Sequence, residues 1–481
     1  VTRRLVGPFN RVEGDLEISL DTSDGHVASA YVNAPLYRGF EQILAGKAPA
    51  DALVFVPRIC GICSVAQSAA AARALAAAAG ITPPPNGRLA ANLTQAAENS
   101  ADHLTHFYLF FMPDFAHEHY RDRSWHAQVA ARFRAISGSA AAEMLTARTA
   151  FMRAMGLLAG KWPHTLALQP GGSSRALQGS ERIRLVRLLR EFREFLERVL
   201  YGDSLEAVAA LESDAALRAW AAERRDRADF ARFLAIADDL GLERLGRSEA
   251  LLLSAGAYAQ ESGHWFAPGT WAGQLQPFEV EAIGEDLSHS RYSGPAGPQP
   301  PATGSTLPSP DKDGAYSWCK APRLGGRVAE TGALARQVIA GQGLALELAS
   351  AAGSNARSRV IARLLELARL VPAMEQWAGA LRPTEPYCVV APLPEAADSY
   401  GLVEAARGTL GHWLSVRRGR INNYQIIAPT TWNFSPRDAQ GQPGAVEQAL
   451  VGTPAEADGG VHPAIYHVVR SFDPCMVCTV H

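Results

Sequence analysis

Arg58-Ile-Cys-Gly-Ile-Cys63 and Asp473-Pro-Cys-Met-Val-Cys-Thr-Val-His481 are the two stretches on which the reading of this chain turns. Each carries a Cys-x-x-Cys pair, Cys60/Cys63 and Cys475/Cys478, and most of the chain lies between them. The other two cysteines, Cys319 and Cys388, stand alone and read as buried thiols. Six cysteines in 481 residues do not make a disulfide framework, which belongs to small secreted domains. Four thiolates are instead a natural set for a soft or borderline metal. The residues alone leave a structural zinc site, redox dithiols and an iron–sulfur cluster open. Neither pair has the βαβ setting of a redox dithiol, and simple ferredoxin spacings are missing. A shared metal would draw residues 475–478 into the core, which folding alone does not require.

Outward from the first pair, Val65 to Ala79 is a run of strong helix formers closed by Gly80. Helical patterns recur near 89–112, 139–159, 181–212, 228–240, 330–350 and 357–380, with a short helix near 445–451. Leu16, Ile18 and Leu20 alternate with polar residues, Asp24-Gly25 offers a turn, and Val27 to Val32 returns as a hairpin. Trp413–Val416 and Ile421–Ile427, joined through Arg418-Gly419, form a second hairpin. Residues 284–328 are rich in Gly, Pro and Ser and read as a long surface excursion. The expected fold is α-rich α+β, a long-helix bundle core with small peripheral β-hairpins. One domain over 1–481 is expected, with a β region at 1–45, a helical core at 46–400 and a β/loop segment at 401–481.

The chain has 46 basic and 48 acidic residues, a balance that gives no reason to expect nucleic acid or an anionic membrane as partner. Hydrophobic residues at 47% against 20% charged describe a globular chain rather than a disordered one. No apolar run is long enough for a membrane span. The stretch Val1 to Asp15 does not read as a signal peptide, so a cytoplasmic location is expected.

Several further motifs accompany the cysteine pairs: Arg11-Val-Glu-Gly14, Arg38-Gly-Phe-Glu41, Gly160-Lys-Trp-Pro-His-Thr165 with Gln169-Pro-Gly-Gly172, the stretch Glu404 to Trp413, and Asn423 to Asp438. With these motifs the chain resembles the large, catalytic subunit of [NiFe] hydrogenases from residue 11 to residue 481. It looks closest to the H2-sensing regulatory subclass. Gln67 stands where a histidine is usual, Ile62 and Phe110 stand where smaller Val and Leu line a gas-channel exit, and the sequence stops at His481.

The resemblance implies a NiFe(CN)2(CO) centre that cleaves H2 into protons and electrons. Nickel would be held by Cys60, Cys63, Cys475 and Cys478, with Cys63 and Cys478 bridging to iron. The proton would pass to Cys478 or its partner Cys475 and on to Glu13. Arg407 would cover the open face with Asp102 beside it, and Pro429 and Thr430 would face a cyanide. Gln67, in place of a histidine that usually hydrogen-bonds a bridging thiolate, would line the centre and change the electronics and hydrogen bonding there while supplying no proton. Glu41, the carbonyl of Ile426 and His481 would hold Mg2+. Asp15 replaces a common histidine and leaves the proton exit open. His103, His106, His117, His119 and His126 read as core or hydrogen-bonding rings, and His164 and His412 as structural ones.

No cysteines remain for an electron relay, so an iron–sulfur small subunit is expected as partner. A dimer of heterodimers, a histidine kinase receiving the signal, and separate maturation proteins follow from the sensory resemblance. An energy-converting uptake hydrogenase is the alternative. A structural zinc protein and the quinone-module relative of respiratory complexes stand further off.

Overall fold

The computed structural model describes residues 2–295, 297–457 and 460–481. Near the N-terminus, β1 (Thr2–Val6), β2 (Glu17–Ser23) and β3 (His26–Asn33) form an antiparallel sheet in that order. The expected hairpin is β2–β3. The added strand β1 is largely exposed, so it carries no apolar alternation for a pattern to reveal.

The helices around the first cysteine pair are packed through alanine. α1 (Ser64–Ala79) buries almost every residue of its first three turns and ends on Gly80 at φ 64. It lies against α2 (Pro85–Thr105), which in turn packs on α3 (Ser139–Ala159); α4 (Gly179–Phe195) packs on α3. The longest helix, α5 (Ala356–Ala380), contacts both α2 and α4 and buries residues on nearly all sides. A second antiparallel sheet follows, with β4 (Ala396–Ala405), β5 (Gly408–Arg417) and β6 (Arg420–Ile427) in that order. Its strand β4 lies directly on α1. Gly401 makes that approach possible, since a Cβ there would sit 2.1 Å from the Ala70 carbonyl oxygen and 2.5 Å from the Ala74 nitrogen. The last long element, α6 (Pro463–Ser471), delivers the second cysteine pair.

The α-rich α+β expectation holds, with local corrections. The pattern at 89–112 continues past α2 into a π turn, His106–Phe111, because the apolar periodicity runs on after the helical hydrogen bonding widens. The 181–212 span breaks at Gly202, φ 62, and resumes as Leu205–Ala209. The 330–350 span opens as a strand, Ala329–Thr331, and then divides into Ala333–Ile339 and Gly343–Ala352 at Gly341, φ 74. Within 46–400, expected as helical, Leu251–Ser254 pairs with Gly269–Trp271 and Ala329–Thr331 in a small sheet. Such short apolar runs are ambiguous between strand and buried helix. The 284–328 stretch is not all surface, since Ile283–Asp286 pairs with Ala321–Leu324 and Glu285, Cys319, Lys320 and Arg323 are buried. No helix among the described residues is long and apolar enough to cross a membrane.

Gly401→Ala is expected to destabilise the chain by about 1–3 kcal/mol through overpacking of β4 against α1. Denaturant unfolding measures it; an unchanged midpoint would mean that the contact between Gly401 and α1 is not close.

Candidate metal centre

The first cysteine pair sits on a loop leaving a 3-10 turn, Val56–Arg58, and Cys63 occupies the N-cap of α1. The second pair follows α6, where Asp473 turns the chain at φ 59 and a short helix, Met476–Thr479, carries Cys478. The N-terminal region clamps this segment. The Glu13 N–H donates to the Pro474 carbonyl at 3.3 Å, and the Met476 N–H donates to the Glu13 carbonyl at 2.7 Å. Gly14, at φ 80, leaves room for Val477, whose nitrogen would lie 2.9 Å from a Cβ. Arg38 joins the two cysteine segments, donating to the carbonyls of Ile59, Arg58 (3.2 Å) and Val477 (3.2 Å).

All four paired cysteines are buried and unbonded as disulfides. Their sulfurs lie 3.5 Å apart for Cys60–Cys475, 3.1 Å for Cys63–Cys478 and 3.0 Å for Cys475–Cys478, and all fall within 4.8 Å of one another. Four thiolates around one ion at about 2.3 Å would place neighbours about 3.2–3.8 Å apart and opposite sulfurs no more than about 4.6 Å apart. Four soft donors gathered at one point suit a soft metal, with Cys60–Cys475 at that spacing and the other two pairs slightly closer. Hydrogen bonds from Cys475 and the other two thiols lower the Cys60 pKa, whereas burial pushes Cys478 up. The first proton leaves such a cluster readily and the others leave when metal takes their place. Among the described residues this is the only group of three or more His, Cys, Asp or Glu side chains poised to share an ion.

Arg407 is buried beside the cluster. It grips Asp102 through two contacts, 2.6 and 3.1 Å, and reaches the Asp473 carboxylate at 3.1 Å and the Asp473 carbonyl at 2.9 Å. One positive charge thus serves two acids. Burial lifts Asp102 to about 7 against the attraction of Arg407, while Asp473, also resisting burial, is held below the usual carboxylate range. Arg407 itself, despite burial, is kept charged by Asp102 and Asp473. Glu13 is half-buried; burial and then the charge of Cys60 raise its carboxyl.

Thr430 accepts the Cys475 N–H at its hydroxyl oxygen, 3.0 Å, and Pro429 opens the short buried helix Pro429–Asn433 next to it. Gln67 lies one turn into α1. Its carbonyl oxygen takes a hydrogen bond at 2.8 Å from His412, whose other ring nitrogen pairs with the Tyr424 hydroxyl at 2.8 Å. Burial brings His412 down to about 3, so it is neutral. The Gln67 NH2 is buried and has no protein partner, which fits a group awaiting an acceptor that the chain alone does not supply.

Glu41, expected as a hard-cation ligand, is buried with His481 Nε2 at 3.2 Å. The Ile426 N–H, not its carbonyl, is the group in contact with Glu41, at 2.8 Å. Lys320 also reaches Glu41 (3.1 Å), Glu285 (3.4 Å) and Gln425 (2.8 Å). Against burial, Lys320 and His481 hold Glu41 at about 2. Sequence reading missed Lys320; its signal was available, as one of very few lysines in a chain that otherwise uses arginine.

Glu98 is a second omission. Buried in α2, it accepts the N–H groups of Val65 (2.9 Å) and Ala66 (3.0 Å) and the Trp162 indole N–H (2.9 Å). It thereby caps α1 from another helix, where Cys63 offers no side-chain cap. Burial lifts its carboxyl to about 8 against those donors.

The remaining singled-out residues have the following surroundings. His103 pairs with Glu366 at 3.1 Å, His106 with the Arg470 carbonyl at 2.6 Å, and His164 with the Pro57 carbonyl at 2.9 Å. His126 is buried, His117 accepts the His119 N–H, and the His119 ring packs on His462. Asp15 is exposed, and Ile62 and Phe110 are half-buried. Cys319 is buried; Cys388, expected to be so, is only half-buried on an irregular stretch bridged to Gly172.

Residues 38–117 and 114–481 match the family described as nickel-dependent hydrogenase. The chain is 28% identical to the periplasmic [NiFeSe] hydrogenase large subunit of Desulfomicrobium baculatum, over 99% of this chain and 94% of that one. It is 26% identical to the uptake hydrogenase large subunit of Afipia carboxidovorans, over 100% and 95%. The fold superposes on the Ni-Fe-Se hydrogenase of D. vulgaris Hildenborough in its reduced state with a TM-score of 0.83, at 29% identity and full coverage of both chains. A helix-rich α+β scaffold that buries four thiols at one point is thus a hydrogenase large-subunit scaffold. This chain belongs to the nickel-dependent hydrogenase family.

Glu98→Ala would leave the buried N–H groups of Val65 and Ala66 without an acceptor, a loss of about 1–3 kcal/mol for each, and would free the half-buried Trp162 indole N–H. The expected outcome is a protein that folds less stably and retains substantially less nickel than the parent. Unchanged metal content and unfolding midpoint would remove Glu98 from the support of the Cys60–Cys63 loop.

Proposed function

We propose that this chain is the H2-oxidising subunit of an uptake-type [NiFe] hydrogenase, working with an iron–sulfur small subunit that carries the electrons away. The observation that carries the reading is the set of four thiols converging beside an arginine whose charge is met by two carboxylates. A nickel–iron centre with carbonyl and cyanide on iron supplies, when bound, the site where H2 is polarised and its two electrons are taken up. Cys60, Cys63, Cys475 and Cys478 would hold it. The relatives include selenium-containing enzymes by name, whereas all four donors here are sulfur.

The chain's own groups account for proton handling. A sulfur of Cys478 or Cys475 takes the first proton, and Glu13 receives it next. A carboxyl raised by burial is a better carrier near neutral pH than an ordinary one. Arg407, fixed by Asp102 and Asp473, holds a guanidinium over the cluster without adding net charge to the interior. Thr430, whose hydroxyl proton the chain does not engage, and Pro429 beside it would face the iron's ligands, and the Gln67 NH2, without a partner in the chain, would be available to the bound centre. Glu41, His481 and the Ile426 carbonyl would take Mg2+, with Lys320 and Glu285 flanking it.

A second reading, H2 sensing coupled to a histidine kinase, is favoured by two local features. The Gln67 amide is committed to the neutral His412 and cannot titrate, and Ile62 and Phe110 are large where gas access is expected. Turnover of the assembled complex with an artificial electron acceptor separates the two. The uptake reading predicts on the order of 10 s⁻¹ or more per nickel, and Glu13→Gln is expected to lower it by roughly 10²–10⁴-fold with nickel and iron content unchanged. A parent rate far below 1 s⁻¹ with a fully loaded centre would favour sensing. A Glu13→Gln rate equal to the parent would remove Glu13 from the proton path.

A further inference from the structure

Beside the C-terminal half of α1 lies a cavity of about 410 Å3 that has no part in the metal centre. Ala69, Ala72 and Ala76 of α1, Ala91 of α2, and Leu168 and Pro170 supply an apolar wall. The space equals about 14 water molecules at ~30 Å3 each, within the size range of small-molecule sites. Asn92 and Gln95 also line it, but their amide NH2 groups are engaged by the carbonyls of Ala259 (2.8 Å) and Glu404 (2.7 Å).

Two arginines line the same cavity. Arg73, from α1, donates to the Leu402 carbonyl at 2.6 Å. Neither it nor Arg88, from α2, has a carboxylate within ion-pair distance among the described residues. Several arginines of the interior meet carboxylates (Arg336 with Glu366 and Glu404, Arg359 with Glu330, Arg407 with Asp102 and Asp473), whereas the half-buried Arg73, like the buried Arg363, is held by backbone carbonyl oxygen alone. The one acid on the cavity wall, Glu261, is exposed. Burial without a counter-charge lowers Arg73 to about 10, which still leaves it charged at neutral pH. Unlike Arg363, Arg73 lines an open space, and beyond the Leu402 carbonyl its remaining N–H groups are free to meet an anion there.

We propose that this cavity binds a small organic anion with an apolar body, its anionic head meeting Arg73 and Arg88 and its chain lying on the alanine wall. Two arginines and six apolar side chains of one cavity then account for both ends of the ligand. Binding of this kind is independent of the metal centre and of H2 turnover.

Calorimetric titration of the purified hydrogenase complex with octanoate, and in parallel with octan-1-ol, tests it. Octanoate is expected to bind once per large subunit and roughly tenfold or more tighter than the alcohol. Arg73→Met should weaken octanoate by roughly tenfold and Arg88→Met by a smaller factor, while Arg73→Lys, which keeps the charge, should retain most of the affinity. Circular dichroism confirms that each variant is folded; if Arg73→Met is not, the Arg88→Met and Arg73→Lys pair decides. Equal binding of acid and alcohol, no octanoate binding by the complex, or undiminished affinity in the folded methionine variants would overturn the proposal.

Discussion

Everything at the metal centre depends on one pair of backbone hydrogen bonds, between Glu13 and the segment Pro474–Met476. They fasten the second cysteine pair to the N-terminal region, and Arg38 ties the same segment to the loop of Cys60 and Cys63. Without that junction, two pairs from distant parts of the sequence have no reason to share one point. Once it is made, the carboxylate of Glu13 is placed beside Cys60 by the same peptide that holds Cys475. Scaffold and proton carrier are one structural unit. The size of the chain follows from this requirement, since a core of long helices is needed to bury both the sulfurs and the groups around them.

Charge is the second constraint. The interior holds an unusual number of arginines, and each one close to the cysteine-bearing elements is balanced or satisfied. Arg407 faces Asp102 and Asp473, Arg359 faces Glu330 and lies over the Phe472 ring, and Arg363 donates to the carbonyls of Ser471 and Phe472. Buried pairs of this sort add little net stability against apolar replacements, but removing one partner strands a charge. Their value here is positional. They fix the turn at Asp473, and with it the direction in which Cys475 and Cys478 enter the core.

The convergence of the cysteine pairs was legible in the sequence because two Cys-x-x-Cys spacings stand out in it; Glu13, Arg407 and Thr430 were singled out by the short motifs around them, and Asp102 only by the resemblance. The helices 65–79, 139–159 and 357–380 were legible because formers and apolar periodicity agree with their ends. What escaped notice acts across long sequence separations or against local pattern. Glu98 caps a helix it does not belong to, so no capping signature precedes Cys63. Lys320 lies in a Gly- and Pro-rich stretch that reads as surface, yet it is pulled inward by Glu41 and Glu285. The helices that ended early, at His106 and Leu196, did so through π turns, which leave the apolar pattern intact. β1 was hidden because its side chains face solvent.

The central claim is that the four sulfurs hold a nickel–iron centre rather than a single structural ion. Infrared spectroscopy of the purified complex, with metal analysis of the same sample, tests it most directly. A nickel–iron centre gives metal-bound carbonyl and cyanide stretches together with nickel and iron at about one each per chain. One zinc per chain, with no such bands and no nickel, would contradict it.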